Sequence, residues 1–375
     1  MQQYRHVGLM VEGLSGYGNK ILTGVSRYVH QNSNWRVAFF DRERDEMAGL
    51  LKSWQGDAII CSAADAHFVE AAAGRTIPIV NVTSRHLDPV FTNVVSDDHQ
   101  AGARAADFLL GRGFRSFAYV RRQEEDCFEM KRAEGFAATV RAAGFPVESG
   151  LIHSADDAEL AEWLAGLPRP LAVLGTTDRL AAMTLDACWK LGIRVPEEIA
   201  LLGIGNYEQL CDLCSPTLSS VDLDLERRGF EAARWIDRLL QGEARPDEPQ
   251  LIPPRGIQER QSTNVYAFDD PDVVAALRFI RDSSAQTIKV RDVVAATRIS
   301  RRSLEGRFNK LIGRTLHDEI WQAHFDLATR LLSSSDLSLQ EVAGRSGFRT
   351  ASALVNLFRQ RFQMTPKEYR VANRR

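Results

Sequence analysis

The sequence predicts two parts: a two-lobed α/β region over residues 1–265 and an all-α region with two helix-turn-helix units over residues 266–375. Three observations carry this. Apolar strand-like runs alternate with helical stretches through the first part. A helix–turn–helix spacing occurs twice in the last third, about 50 residues apart. Charge divides the same way: residues 269–375 hold 19 Lys and Arg against 12 Asp and Glu, a net of +7, and the remainder holds 28 against 37, a net of −9. A basic module joined to an acidic one is the footprint of a nucleic-acid reader with a separate partner-binding part.

In order along the chain, strands are predicted at 7–11, 36–40, 58–61, 78–82, 117–120, 171–175 and 200–204, with helices at 20–30, 100–112, 131–143, 158–167 and 178–191. That alternation specifies parallel sheets covered by helices. So many units in about 265 residues fit two sheets better than one. Ligands of open sheets bind outside the carboxyl ends of the strands, so two such lobes facing each other make a cleft. Polar residues fall just past several strand ends: Tyr17 and Asn19 after the first, Arg132 at a helix opening, Thr177 and Asp178 after 171–175, and Asn206 after 200–204. A sugar cleft needs bidentate donors and acceptors plus a flat apolar surface. Arg132, Asp178 and Asn206 are candidates for the polar part, and Tyr17 for the surface. The alternative is that Asp178 only caps a helix and Arg132 is a surface residue.

In the second part, Ser338 and Glu341 have capping-box spacing, Gly347 supplies a turn, and Thr350 caps a second helix. That is a helix-turn-helix. On a helical wheel Leu354, Leu357, Phe358 and Phe362 form the inward face, opposite Ser352, Asn356, Arg359 and Gln363. Ser352 and Asn356 are the expected base readers, with Arg349 and Arg359 near bases or phosphates. The upstream unit places Leu304, Phe308 and Leu311 inward, with Arg302, Glu305 and Asn309 outward and Arg301 near the helix start. Gly306 lies on the exposed side. Residues 317–333 are expected to be the helix joining the two units.

Several chemistries find no support. The stretch from Gly13 to Lys20 follows a strand but lacks the Gly-Lys-Ser/Thr of a phosphate loop, because Asn19 precedes Lys20 and Ile21 follows it. The eight histidines show no metal spacing and no nucleophile partner. A single Cys211-Asp-Leu-Cys214 without a second pair is weak evidence for metal or redox chemistry. No cofactor or metal is therefore expected. Five cysteines, an odd number, fit a reducing compartment. With no run of about 18 apolar residues and no signal-peptide pattern, the expected location is the cytoplasm.

Ordered motifs add a resemblance. Val95-Ser-Asp-Asp98, Ala101-Gly102, Arg132-Ala-Glu-Gly135-Phe136, Thr177-Asp178 and Leu218-Ser-Ser-Val221 occur in sequence, as does the run from Leu191 through Pro196 to Gly203. Together they resemble the effector domain of the LacI and periplasmic sugar-binding protein group. Residues 269–375 resemble the AraC-family DNA-binding domain. The combination in this order resembles the xylose-operon activator family. The resemblance implies a periplasmic-binding-protein-like fold of two Rossmann-like lobes joined by three crossovers. Lobe one is expected at about 1–112 and 221–246, and lobe two at about 113–220 and 247–265, including a last strand at 250–253. It also implies that Arg132 and Thr177-Asp178 belong to the effector pocket. One departure stands out: the family usually carries an Asp in the strand-end motif that reads Gly203-Ile204-Gly205-Asn206 here, which puts an unmodified pentose in doubt as ligand. Leu354 and Asn356 also depart from the family's usual aromatic and basic residues. The implied function is ligand-responsive transcriptional regulation, an activator of a sugar-utilisation operon. The implied partners are double-stranded DNA, a sugar-like effector, a second copy in a homodimer, and RNA polymerase if the chain activates. A repressor, a sensor of a non-sugar ligand and an enzyme on a doubly wound fold are the alternatives; no catalytic constellation supports the last.

Overall fold

The computed structural model of the chain describes residues 4–11, 16–40, 44–62, 66–122, 127–152, 157–362 and 364–373. The chain divides into two compact units, Met1–Val265 and Tyr266–Arg375.

The first unit contains two six-stranded sheets. One comprises β1 (Arg5–Met10), β2 (Trp35–Phe39), β3 (Ala58–Cys61), β4 (Ile79–Asn81), β5 (Thr92–Ser96) and β11 (Gln250–Ile252), in the order β11-β5-β4-β3-β1-β2. The other comprises β6 (Ser116–Arg122), β7 (Val147–Ile152), β8 (Leu171–Gly175), β9 (Ile199–Ile204), β10 (Ser219–Asp222) and β12 (Gly256–Gln258), in the order β12-β10-β9-β8-β6-β7. Pairing is parallel except between β10 and β12. The central strands β3 and β9 are buried along their whole length. Continuous apolar runs of this kind are what a parallel sheet covered on both faces requires.

The covering helices approach the limit of backbone contact. In the first lobe α1 (Gly16–Asn32) packs on α9 (Leu225–Leu240). A Cβ at Gly24 would sit 1.9 Å from the Glu226 carbonyl oxygen, and one at Gly229 would sit 2.0 Å from that of Ile21. The second lobe repeats the device. There α4 (Asp98–Leu110) packs on α5 (Cys127–Ala142), with Gly102 against the Arg132 carbonyl oxygen and Gly135 against that of His99.

This packing corrects two expectations. The stretch up to Arg112 does not all belong to lobe one, because α4 lies on α5 and Arg112 at its end pairs with Glu259 at 2.6 Å, just after β12. The first crossover therefore falls at Asp97. The strand expected in lobe two at 250–253 is β11, which pairs in parallel with β5 in lobe one, Leu251 opposite Val95. The return into lobe one likewise follows β10 rather than preceding Val221. The crossovers are tied to one another: Asp97 N donates to the Ile252 carbonyl, Arg255 N to that of Asp222, and the Arg255 guanidinium pairs with Asp224 at 2.9 Å.

The second unit is helical: α10 (Pro271–Asp282), α11 (Val290–Ala295), α12 (Arg301–Ile312), α13 (Leu316–Ser334), α14 (Leu339–Arg345), α15 (Ala351–Phe362) and α16 (Pro366–Asn373). Ser338 and Glu341 form the expected capping box of α14, and Thr350 Oγ1 accepts from Ala353 N at the start of α15. Two apolar cores form, one around Val273, Leu277, Leu304 and Phe308, the other around Phe325, Val342, Leu354 and Phe358. Helix α13 contributes to both, through Leu316 and Ile320 at one end and Ala328 and Leu332 at the other. The side chain of Phe362 and residue Gln363 lie outside the described residues.

The glycine contacts give a paired test. Gly102→Ala is expected to destabilise the first unit by at least roughly 1–3 kcal/mol, because backbone must move. Gly49→Ala, inside α2 (Arg44–Ser53) with nothing among the described residues within 4 Å of the added carbon, should instead stabilise by about 0.5–1 kcal/mol. Thermal unfolding midpoints of the two variants should move in opposite directions.

Candidate effector cleft and nucleic-acid interface

The carboxyl ends of both sheets open onto one cavity of about 330 Å³. Lobe one supplies Tyr17 from α1, Ser62 after β3, Thr83 to Arg85 after β4, and Arg228 from α9. Lobe two supplies Arg122 and Phe128 around the β6–α5 connection, Arg132, residues 177–179 at the start of α7 (Asp178–Lys190), and residues 204–207 after β9. This is where the strand-end rule places a ligand.

Arg132 lies in the second turn of α5 rather than at a helix opening, since α5 begins at Cys127. It is 6% exposed. Its Nε donates to Asp98 Oδ1 at 2.7 Å, its Nη1 donates to the Thr176 carbonyl at 2.8 Å, and its guanidinium lies 4.7 Å from the Phe128 ring centre. Among the described residues, Asp98 Oδ2 is buried without a hydrogen-bond partner. Thr177 caps α7, accepting from Leu180 N. Asp178, the next residue, is therefore not the cap. Its Oδ1 accepts from Ser220 Oγ and its Oδ2 from Tyr207 N at 2.7 Å. Burial pushes the Asp178 carboxyl above the ordinary carboxylate range, against the lowering effect of those two donors.

Asn206 has left-handed backbone, φ 51, a conformation Asn tolerates better than most residues. Its groups are engaged: the amide N–H donates to Ser220 Oγ, Nδ2 donates to Asp222, and Oδ1 accepts from Arg260. Gly205 explains the departure at the strand end. At φ +132 a Cβ there would lie 3.2 Å from Asp178 Oδ2, so Asp178 already fills the place where an added acid would point. The Tyr17 hydroxyl donates to the Val82 carbonyl and accepts from Arg228, which makes it a strut as well as a wall. Asn19 is not brought into the cavity. It stands two residues beyond Tyr17, about 200° around a helix of about 100° per residue, and is exposed.

Arg228 is the main residue the sequence reading missed. It is 2% exposed; Nη1 donates to the Val82 carbonyl and the Tyr17 hydroxyl, Nη2 to Ser96 Oγ, and Nε has no partner among the described residues. Nothing in the sequence distinguishes it from Arg227 beside it. Lys20 is likewise no phosphate-loop lysine. Its Nζ donates to the Asn206 carbonyl at 2.6 Å and lies 3.6 Å from Glu208, so it joins the two lobes beside the cavity; residues 12–15 of that stretch lie outside the described residues. Burial raises the thiol pKa of both Cys211 and Cys214, which disfavours reactive thiolates at the CxxC.

In the second unit part of the inward face expected on the wheel is buried, while Leu311 and Leu357 are half-buried. Leu304, Phe308, Leu354 and Phe358 are buried, while Arg301, Arg302, Asn309, Arg349, Ser352, Asn356 and Arg359 are exposed. Glu305 is half-buried and pairs with Arg301 at 2.9 Å. The two halves of this unit are braced against each other through the turn before α15 and the segment before α11. The Gly347 turn, φ +77, packs against His324 of α13; His324 Nε2 bonds the Gln286 carbonyl and Thr287 Oγ1 donates to the Gly347 carbonyl.

A two-lobed cleft protein fused to tandem helix-turn-helices is a transcriptional regulator with its own sensor. Residues 81–263 match the periplasmic binding protein-like domain family, and residues 293–372 match a helix-turn-helix domain family. The chain is 30% identical to the xylose operon regulatory protein of Escherichia coli K12 over 384 aligned positions, 98% of each chain. It is 27% identical to that of Haemophilus influenzae over 99% of each. A solved structure of the xylose-binding transcription activator XylR aligns over the full length of both chains with TM-score 0.62 at 29% identity. A LacI-family regulator from Enterococcus faecium with bound ribose shares the fold of the first unit, with TM-score 0.58 over 69% of this chain and 98% of that one at 18% identity. The chain belongs to the family of xylose operon regulatory proteins, which are DNA-binding regulators and not enzymes.

Two outcomes follow. Arg132→Ala should cost the first unit roughly 3–5 kcal/mol, because Asp98 is left as a buried unpaired charge. The double variant Arg132→Leu/Asp98→Asn should recover most of that loss in urea unfolding. Burial also holds His324 below its ordinary 6.5. Below that pH the unfolded chain takes up the proton before the folded one does, so the second unit should lose stability as pH falls from about 6.5. His324→Gln should flatten that slope in a pH series of unfolding midpoints.

Proposed function

We propose that this chain is a cytoplasmic, effector-gated transcriptional activator of a sugar-utilisation operon, acting as a homodimer on double-stranded DNA and recruiting RNA polymerase. The observation that carries this is a cavity lined from both lobes in a chain whose other unit presents two helices with exposed polar faces. A cavity of about 330 Å³ is at the small end of ligand sites, the size of a monosaccharide. Arg132, Asp178, Thr177, Asn206 and Tyr17 line it, and the first two are the polar anchors. The Escherichia coli relative is named for the xylose operon, which sets the sugar class to test first. No helix among the described residues is long and apolar enough to cross a membrane.

Effector binding across both walls favours the closed arrangement through differential affinity for it. On the DNA side, Arg301, Arg302, Glu305 and Asn309 form one reading face, and Arg349, Ser352, Asn356 and Arg359 the other. Freeing Arg301 from Glu305 is part of engaging DNA at the first face. Asn reads adenine and Arg reads guanine bidentately in the major groove. Fluorescence anisotropy on operator DNA, with and without a panel of sugars, tests the reading. A sugar that changes operator affinity or transcription supports it, and turnover of a panel member would place the chain among enzymes.

Residues 266–375 alone should fold and bind DNA without effector, with affinity falling steeply as salt rises. Asn356→Ala should relax base preference at one operator position by about 1–3 kcal/mol, whereas removing a phosphate-contacting Lys or Arg should weaken all sequences alike. Binding-site selection with the variant checks this; an unchanged base profile would take Asn356 off the reading face.

A further inference from the structure

Three consecutive residues of lobe two reach lobe one beside the cavity. They form the turn between β9 and α8 (Glu208–Leu213). The Asn206 carbonyl accepts from Lys20 Nζ at 2.6 Å, and Glu208 Oε1 lies 3.6 Å from the same nitrogen. Between them, the Tyr207 ring rests on Gly16 at the start of α1. A Cβ at Gly16 would come within 2.1 Å of the ring carbon Cδ2, so the ring occupies the place of a side chain. Gly16 and Tyr207 both line the cavity. The same turn is gripped from two other directions. On the cavity side, Tyr207 N donates to Asp178 Oδ2 at 2.7 Å. On the far side, Asn206 Oδ1 accepts from Arg260 Nη2 at 3.2 Å. Arg260 also donates through Nε to Asp212 at 2.7 Å and through Nη1 to the Leu218 carbonyl at 2.9 Å. Arg260 opens the run that leads out of the first unit. Gln261–Thr263 make a short 3-10 turn, Ser262 Oγ donates to the Leu201 carbonyl at 2.6 Å, and the second unit begins at Tyr266.

This turn has little freedom to absorb a shift by itself. Asn206 is fully buried in left-handed backbone, its N–H is held by Ser220 Oγ and its Nδ2 by Asp222. Stranding one buried polar atom costs about 1–3 kcal/mol, so the turn moves with its partners or not at all. An effector bound at Asp178 acts on the group that Tyr207 N holds, and a change in lobe spacing acts on Lys20 and Gly16. Both inputs meet at one turn, and Arg260 is the output. We propose that Tyr207 is the latch of the cleft: its ring seats on Gly16 when the lobes are together, and the Asn206–Arg260 bond passes the state of the latch to residues 261–265, which enter the second unit. This rests on the sensor reading above and deepens it, by naming the residues through which occupancy of the cleft alters operator binding. Arg260 is a positioning residue, acting through Asn206. Coupling of this kind needs an element with two discrete arrangements that both sites bias, and a ring seated on or lifted from a glycine is such an element.

The test fixes the latch chemically in the full chain and needs no effector. A Cβ at Gly16 would lie 2.9 Å from Tyr207 Cγ, the ring carbon that carries the tyrosine Cβ. The double variant Gly16→Cys/Tyr207→Cys therefore brings two thiols within disulfide reach. Diamide takes up the two thiol hydrogens as the bond forms, and the parent chain treated alike sets the baseline. Oxidation should change the affinity for operator DNA, obtained by binding-site selection, by at least about fivefold, and dithiothreitol should reverse it. Adding Arg260→Met should bring the oxidised and reduced affinities together. A merely structural role for Arg260 would instead lower both alike and keep their ratio. If Arg260→Met does not fold, Asn206→Gly serves in its place. It keeps the left-handed backbone and the carbonyl bond to Lys20, loses only the side chain, and should also cancel the ratio. The inference is overturned if the disulfide does not form, if it forms without changing operator affinity, or if the ratio survives in the folded Arg260 or Asn206 variant. A sugar that alters operator affinity where the disulfide does not removes the latch and leaves the sensor reading standing. A disulfide that alters it where no sugar of the panel does leaves the latch and removes the sugar reading.

Discussion

The first unit depends on backbone touching backbone. Gly24 and Gly229 bring α1 and α9 together in one lobe, and Gly102 and Gly135 do the same for α4 and α5 in the other. At each crossing a Cβ would fall within about 2 Å of a carbonyl oxygen, so any side chain would push the helices apart. Both crossings also aim an arginine. Arg228 immediately precedes Gly229, and Arg132 is the residue whose carbonyl meets Gly102. The two buried guanidinium groups of the cavity are thus placed by the closest packing in their lobes. Such packing has little slack, because interiors at crystal-like density transmit displacement rather than absorb it.

That placement ties binding to lobe geometry. Arg132 is held from behind by Asp98, which follows the first crossover, and Asp224 at the second crossover is buried against Arg255 at the third. Burial raises the Asp224 carboxyl while Arg255 opposes the shift. The segments linking the lobes are therefore stitched to each other by charge and hydrogen bonds. The Lys20 bridge to Asn206 and Glu208 already joins the two walls, so in the proposed reading a ligand that changes their spacing acts on these few polar contacts. Small differential affinities suffice to move an equilibrium of that kind: a tenfold preference for the closed state corresponds to about 1.4 kcal/mol.

The sequence made the alternation of elements, the presence of two sheets and the helix-turn-helix faces legible, because each leaves a periodic apolar signal. β3, β8 and β9 are unbroken apolar runs, and α15 separates Leu354 and Phe358 from Ser352 and Asn356 at helical spacing. The strands that escaped notice lack that signal. β5 is Thr92-Asn-Val-Val-Ser96 and β10 is Ser219-Ser-Val-Asp222, buried yet largely polar, since their side chains bond within the sheet ends. The lobe boundary was misplaced because α4 follows β5 in sequence without break, and its packing on α5 through Gly102, His99 and Asp98 leaves no mark in a single sequence. In the cleft, Arg132 and Asp178 were visible from strand-end position. Arg228 was not, because it arrives on a returning helix from far along the chain. Asn19 was misassigned because proximity to a strand end says nothing about which side of α1 a residue occupies.

The second unit turns on a related constraint, the rigidity between two reading heads. Helix α13 has 19 residues and spans roughly 28 Å at 1.5 Å per residue, with one core at each end. A turn of B-DNA is about 34 Å, so heads separated on this scale address successive major-groove faces on one side of the duplex. His324, the Gln286 carbonyl and the Gly347 turn pin the second head to the loop of the first, and Arg361 donates to Gln322 of α13. Two heads fixed in this way would, under the proposed reading, meet DNA as one unit, so a change in half-site spacing is expected to weaken the second head's contacts together. Within one chain, operator spacing is then not an adjustable quantity. In the proposed reading, the effector acts through the first unit, while the sequence that is read would be set by exposed residues on α12 and α15 in the second.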